Sequence, residues 1–408
     1  VTFTNAAAAE MRERIAEAIS ERLEGSPDSA GMRRQLTLLG KASITTIHSF
    51  CLEVIRSNFQ CIDIDPGFRI ADETESSLMK LEALDELFEE QYEKEDAGFF
   101  ELLESYGGNR DDQALQDMVL DLYTFIQSSP WPREWLDGMT EGMNADSGTD
   151  FGETPWGRVL LDSVRLELKG MRDMAAGAAE MLESAPGLEG YQPVYMKDLA
   201  GIDSVLELLD GSGGNRWDRL FNTLQGMEFE RLPRCGSEAD RDIREFVKKS
   251  RDDVKSSIRK LRERVVTADS AQVIDDLKSL YPKMKSLAGL VTGFMEKYAG
   301  RKSRKSVVDF NDLEHFCLDI LSERGEDGSV KPSETAMGYR ERFEEILVDE
   351  YQDSNLVQEI IISMISRVDT GRPNVFMVGD VKQSIYRFRQ ARPELFLEKY
   401  NTYSPDAE

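Results

Sequence analysis

Two adjacent carboxylates, Asp349 and Glu350, follow the apolar run Ile346-Leu347-Val348 and open the segment Asp-Glu-Tyr-Gln-Asp. An apolar strand ending this way delivers both carboxylates to its C-terminal end, where open α/β sheets bind ligands. One carboxylate of such a pair can hold Mg²⁺, usually through water, while the next orients and deprotonates an attacking water. Hydrolysis of a nucleoside triphosphate uses that division of labour, because its catalysis is mostly positioning and charge neutralisation. Acidic pairs after strands are common, so the surrounding residues must decide.

A second apolar run, Val375-Phe376-Met377-Val378, ends in Gly379-Asp380, and Gln383 follows. A neutral amide such as Gln383 can hydrogen-bond a terminal phosphate and register its loss. Tyr386 and Phe388 then alternate with Arg387 and Arg389. Rings that stack on bases, mixed with cations for phosphates, are what single-strand binding requires. The same spacing also suits the start of an amphipathic helix with core aromatics.

The elements that position these groups fall into three stretches. In residues 1–66, Asn5–Glu24 has helical spacing at Met11, Ile15, Ile19 and Leu23, with Thr4 or Asn5 as N-cap and Gly25 and Pro27 as stops. Ser43–Ile47 is a short β-branched run, and an apolar helix is expected from about His48 to Phe59. In residues 300–408 the two apolar runs read as buried parallel strands with a helix over Leu356–Arg367 between them, a βαβ unit. Residues 67–299 read as helices, strongest over 78–92, 113–127, 159–183 and 240–298, with Ser128–Pro155 as loop. A helical block between two pieces of an α/β domain is expected to be an inserted domain.

The chain has 408 residues, is 40% hydrophobic and carries a net charge of −27. No apolar run approaches the roughly 20 residues of a membrane span. Cys51, Cys61, Cys235 and Cys317 are scattered and read as free thiols, and His48 and His315 are too few for a multi-histidine metal site. The global charge argues against nucleic acid, but its distribution does not. Residues 72–150 hold 22 acids and 4 bases, whereas 244–264 hold nine bases and four acids. Further basic groups are Arg301, Lys302, Arg304 and Lys305, and Lys382, Arg387, Arg389 and Arg392. A phosphate backbone responds to charge within about 8 Å, so local basic tracts suffice. Lys248, Arg251, Lys255, Arg259 and Arg262 recur at helical spacing and are expected on one face, either toward duplex DNA or as a solvated surface.

Taken together, Asp349-Glu350-Tyr351-Gln352-Asp353 and Gly379-Asp380-Val381-Lys382-Gln383-Ser384-Ile385-Tyr386-Arg387-Phe388-Arg389 resemble motifs II and III of the UvrD-type superfamily 1 DNA helicases. Thr2-Phe3-Thr4-Asn5-Ala6-Ala7-Ala8-Ala9-Glu10-Met11 resembles motif Ia, Thr45-Thr46-Ile47-His48-Ser49-Phe50-Cys51 resembles motif Ib, and Val308-Asp309-Phe310-Asn311-Asp312-Leu313 is similar to a further family element. All five stand in family order. The motif III segment, Arg392-Pro393-Glu394-Leu395-Phe396 behind it, and Phe68–Asp72 and Tyr106–Asp112 in the helical stretch look like the AddA (RexA) helicase–nuclease branch.

The resemblance implies a RecA-like P-loop NTPase domain of α/β class. Residues 1–66 and 300–408 would form an incomplete domain 1A, and 67–299 an all-α inserted domain 1B. It implies ATP and Mg²⁺ as cofactors, with Asp349 holding the metal, Glu350 as catalytic base and Gln383 sensing the γ-phosphate. Phe3, Thr46, His48, Tyr386, Phe388 and Arg389 would line the DNA path, with Phe388 standing where many relatives carry Trp. Implied partners are single- and double-stranded DNA ends and a second subunit of AddB type, in the cytoplasm and without a membrane. The expected parent activity is ATP-driven unwinding with exonuclease action in double-strand-break repair. No Gly-x-x-x-x-Gly-Lys-Ser/Thr occurs in the chain. The chain is therefore expected to be a piece of such a protein, lacking the phosphate loop, the second RecA-like domain and the nuclease domain, and inactive alone. A stand-alone UvrD-like helicase and a non-catalytic DNA-binding or interaction module remain the alternatives.

Overall fold

The structure, a computed structural model, describes residues 1–402 apart from Phe3, 26–28, Asp63, 108–110, Ser147, Ser212 and 385–390. Most helices begin where a side-chain oxygen satisfies an orphan N–H, each such cap contributing on the order of 1 kcal/mol. Thr4 Oγ1 accepts from Ala7 N–H at the start of α1 (Asn5–Gly25). Ser29 caps α2 (Ala30–Leu39) and Thr46 caps α3 (Ile47–Ser57). After β1 (Arg69–Ile70), Asp72 caps α4 (Glu73–Lys94) and Asp96 caps α5 (Ala97–Tyr106). Then come α6 (Gln113–Ile126), α7 (Pro132–Glu141) and α8 (Pro155–Glu183), the last capped by Thr154 with Pro155 in its first turn. They are followed by α9 (Gln192–Asp210), α10 (Arg216–Gly226), α11 (Arg241–Lys260) and α12 (Ser270–Arg304).

The rest of the chain alternates. It runs β2 (Val307–Val308), α13 (Phe310–Leu321), a β3 (Ser322–Arg324) and β4 (Val330–Pro332) hairpin, α14 (Glu334–Arg342), β5 (Ile346–Val348), α15 (Leu356–Ile365), β6 (Val375–Met377) and α16 (Pro393–Thr402). The described chain is thus mostly helical with short parallel strand pairs. The expected βαβ unit is there: β5 and β6 pair in parallel in the register Ile346↔Val375, Leu347↔Phe376, Val348↔Met377, with α15 between them, but the strands are not buried throughout as expected, since Leu347 and Phe376 are exposed.

The span expected as loop, Ser128–Pro155, instead contains α7. Pro132 sits in its first turn, where the missing N–H costs nothing. One turn on, Leu136 is buried, which anchors the short helix.

The described residues form two compact units, 1–136 with 286–408, and 137–285. In the first, α13 packs between α3 and α15. Its core joins Phe50, Val54 and Ile55 of α3 to Leu313 and Leu318 of α13, Ile346 and Val348 of β5, and Val357 and Ile361 of α15. Each fully buried side chain of this kind contributes about 1.5–3 kcal/mol relative to exposure. Within this unit Arg69 and Ile70 pair in parallel with Val307 and Val308.

The second unit is helical. Leu161, Val164 and Leu168 of α8 pack with Ile202 and Val205 of α9 and with Val247, Val254 and Ile258 of α11. Phe151 meets the buried Trp217 edge-on at 4.7 Å. Arg251 of α11 lies inside this unit, 3% exposed, donating from Nε to Asp198 Oδ2 at 2.5 Å and from an Nη to Glu230 O at 2.8 Å.

Candidate active site

Four chain segments meet edge to edge at the site. Thr2 N–H donates to Thr45 O at 3.0 Å, Val1 N to Leu347 O at 2.6 Å, and Asp349 N–H to Val1 O at 3.0 Å. On the other side of β5, Val378 N–H donates to Val348 O at 2.8 Å and Tyr351 N–H to Val378 O at 2.9 Å. The ladder therefore runs from 45–46 through 1–2 to β5 and β6, placing the segment before α3, the start of the chain and both acidic motifs side by side.

Asp349 and Glu350 emerge at the C-terminal end of β5. Asp349 is half-buried, and its Oδ1 accepts Glu350 N–H at 3.1 Å. Glu350 is exposed and holds a left-handed backbone, φ 53°, before the short helical turn Tyr351–Asp353. For a residue other than Gly, Asn or Asp that conformation is uncommon, and its strain is of a kind that collects at functional sites. In Asp353, burial and then the Glu350 charge raise the carboxyl above the ordinary aspartate range.

Gln352 joins the two motifs. It is buried; its Nε2 donates to Glu350 Oε2 at 2.6 Å, and its Oε1 accepts Asp380 N–H at 2.9 Å. The Asp380 carboxylate in turn accepts from Lys382 N–H and from Gln383 Nε2, both at 3.0 Å. Gly379 permits this approach, because a Cβ there would collide with Gln352 Oε1.

A cavity of about 520 Å³ opens beside the carboxylates, lined by Asp349, Glu350, Asp353, His48, Asn311 and Glu314 among others. His48 stands at the start of α3, its ring edge-on to Phe310 at 5.3 Å and its Nε2 at 3.2 Å from Glu314 Oε1. Burial acts to raise the Glu314 carboxyl, but His48 and the amides of Asn355 and Gln358 outweigh it and hold the group below the ordinary range. Among the described residues no cluster of three or more His, Cys, Asp or Glu is arranged to hold a metal. Asp349 supplies one carboxylate, a donor set that fits Mg²⁺ completed by phosphate oxygens and water.

The family described as UvrD/REP helicase N-terminal domain matches residues 1–404. This chain belongs to that family. It is also similar to proteins named as the A subunit of an ATP-dependent helicase/nuclease. The one from Acetivibrio thermocellus is 72% identical over 406 residues, covering 100% of this chain and 32% of the relative. That from Ruminiclostridium cellulolyticum is 57% identical over 408 residues and that from Thermoanaerobacter pseudethanolicus 49% over 409, with the same coverage. The chain thus spans about a third of the length of these curated relatives.

Within this UvrD/REP helicase N-terminal domain the structure brings Asp349, Glu350, Gln383 and His48 into one unit, the first two and His48 lining one cavity. Thr46 is buried, its Oγ1 capping α3 through Ser49 N–H at 3.2 Å. Phe3, Tyr386, Phe388 and Arg389 lie outside the described residues. Sequence reasoning does not find Gln352 or Glu314 as functional residues. The first lies in plain view inside the acidic motif, and the second stands five residues after Asp309 on the α13 face that is otherwise apolar.

The basic tracts differ from expectation. Arg251 is turned into its own unit by Asp198, and Arg262, just beyond α11, donates to Met227 O, so the row from Lys248 to Arg262 is not one free cationic face. Lys248, Lys249, Arg259 and Lys260 remain exposed. Arg301 pairs with Glu82 and Glu86, and the buried Lys302 with Asp309 at 2.9 Å and Asp312 at 2.6 Å. In these cases partners brought in by the fold claim the cations, which counting charge along the chain does not see. No helix among the described residues is long and apolar enough to cross a membrane.

Proposed function

We propose that this chain is the first motor portion of an ATP-dependent DNA helicase/nuclease of AddA type, which works on DNA ends in the cytoplasm beside an AddB-type partner. In this reading residues 1–66 and 300–408 form a RecA-like domain 1A and 67–299 a helical insertion 1B. The parallel pairing of Arg69-Ile70 with Val307-Val308 supports the insertion, since it sets the borders of the helical span side by side. The observation that carries the functional reading is the β5/β6 register, which places the Asp349–Glu350 turn against Gly379–Asp380 and links the two through Gln352.

Asp349 would hold Mg²⁺, which when bound would supply charge neutralisation on the nucleotide's phosphates. Glu350 orients the attacking water and takes its proton. Gln352 holds the Glu350 carboxylate against the turn, so the base is aimed before nucleotide arrives. Gln383, tethered to Asp380, is placed to exchange that partner for a terminal phosphate oxygen. His48 and Thr46 belong to the DNA side with Phe3, Tyr386, Phe388 and Arg389. The chain contains no phosphate loop of the Gly-x-x-x-x-Gly-Lys-Ser/Thr form, so the cradle for the triphosphate comes from residues outside it.

Glu350→Gln in the whole protein tests this reading. It keeps the shape and removes the base, so ATP and DNA binding should persist while turnover falls by about 10²–10⁴. Unchanged turnover would remove Glu350 from the role of base.

A further inference from the structure

Glu314 is 4% exposed and belongs to neither acidic motif. It accepts from Gln358 Nε2 at 2.6 Å on Oε1 and from Asn355 Nδ2 at 3.0 Å on Oε2, and His48 Nε2 stands 3.2 Å from Oε1. An ionised carboxylate only accepts, so three donors suit it and a neutral isostere does not match all of them at once. The donors come from two places. His48 lines the cavity from the start of α3. Asn355 is the N-cap of α15 and Gln358 lies in its first turn, where Asn355 Oδ1 accepts from Gln358 N–H at 2.8 Å, directly behind the Tyr351–Asp353 turn. One buried anion therefore fastens the imidazole to the helix start that follows Asp349 and Glu350.

We propose that Glu314 is a positioning residue: it holds His48 as an Nε2–H donor and ties this DNA-side histidine to the turn carrying the catalytic carboxylates, so that it sets how strongly DNA stimulates ATP hydrolysis. The inference rests on the reading of His48 as a DNA contact. A neutral imidazole donating from Nε2 leaves Nδ1 as acceptor, and the edge contact with Phe310 restrains the ring plane. Without the carboxylate the ring loses its tautomer preference and its orientation, while Asn355 still caps α15 through its own side chain.

The test is ATPase activity of the whole protein against single-stranded DNA concentration, for wild type, Glu314→Gln, His48→Ala and the double variant, with thermal melting beside it. Glu314→Gln is near-isosteric, and the Gln358 amide can turn to meet it. Glu314→Asp, which keeps the charge but shortens its reach, is the second variant should the first fail to fold. Either should raise the DNA concentration for half-maximal stimulation about tenfold, as expected for loss of one charge-assisted hydrogen bond. The double variant should be no worse than His48→Ala, as for residues that act as one unit. A fall in melting temperature and DNA-free turnover with unchanged DNA dependence would make Glu314 structural only and overturn the proposal. Multiplying effects in the double variant would also overturn it, because Glu314 would not act through His48. An unaltered DNA dependence in His48→Ala would remove the DNA contact itself and the proposal with it. A shift in His48→Ala but none in Glu314→Gln or Glu314→Asp would leave that contact standing and sink the positioning role alone.

Discussion

Gln352 Nε2 donates to Glu350 Oε2 at 2.6 Å from a side chain that is 1% exposed. The exposed Glu350 therefore owes its direction to a neighbour whose other end is fixed on Asp380 N–H. Gln352→Leu leaves that N–H unpaired and frees the Glu350 carboxylate. Turnover of the whole protein should fall about 10²-fold, the usual cost of misplacing a reacting group by about 1 Å. Steady-state kinetics should show the loss in kcat far more than in KM.

Gly379→Ala attacks the same link by sterics alone. The added methyl would meet Gln352 Oε1 and come within 3.3 Å of Phe396, and Gln352 is held at both ends. The variant should fold, since the backbone at Gly379 is not in the left-handed region, yet its ATPase should approach that of Gln352→Leu. Wild-type turnover in Gly379→Ala would show that the approach of the two loops is not needed.

The cations of α11 should separate into two classes. Arg251→Met breaks an ion pair with both partners under 5% exposed, so unfolding of residues 137–285 should become easier by about 3–5 kcal/mol, read as a lower melting temperature. Neutralising the exposed Lys248, Lys249 and Arg259 together should leave stability within about 0.5 kcal/mol. If these three touch duplex phosphates, the salt slope of DNA binding falls by roughly 3 units, about 0.9 per contact. An unchanged slope assigns them to a solvated face.

Much of this is legible in residue patterns. The apolar runs at 346–348 and 375–377 mark β5 and β6, and Asn5–Glu24 marks α1 nearly to the residue, because local spacing and caps decide such elements. The pairing of β1 with β2 is not legible: each strand is two residues long and its partner lies far along the chain. Nor is the fate of Arg251, Arg301 and Lys302, since Asp198, Glu82, Glu86, Asp309 and Asp312 reach them only through tertiary packing. Gln352 stands inside a recognisable motif, but its two hydrogen bonds depend on the β5/β6 register.

Stability should respond to pH through Glu314. Its native carboxyl titrates below the ordinary value, so it stabilises the fold above about pH 4.3, the unfolded glutamate value, and that contribution disappears as pH falls through the lower native value. Chemical denaturation of wild type and Glu314→Gln should give a stability difference that shrinks as pH falls below that value. A difference independent of pH down to acid unfolding would contradict the depressed titration.

The chain of 408 residues expressed alone should not hydrolyse ATP, because the carboxylates are present and the phosphate loop is not in its sequence. A DNA-stimulated rate of about 1 s⁻¹ or more, ordinary for an enzyme, would count against this.

The pairing of Ile70 with Val308 sets an order of events during synthesis. Residues 71–306 must leave the ribosome before the two strands can meet, which takes roughly ten to fifty seconds at about 5–20 residues per second. For that interval Phe50, Val54 and Ile55 of α3 lack the α13 surface that buries them. The nascent chain therefore carries a sticky amphipathic helix until its C-terminal partner arrives.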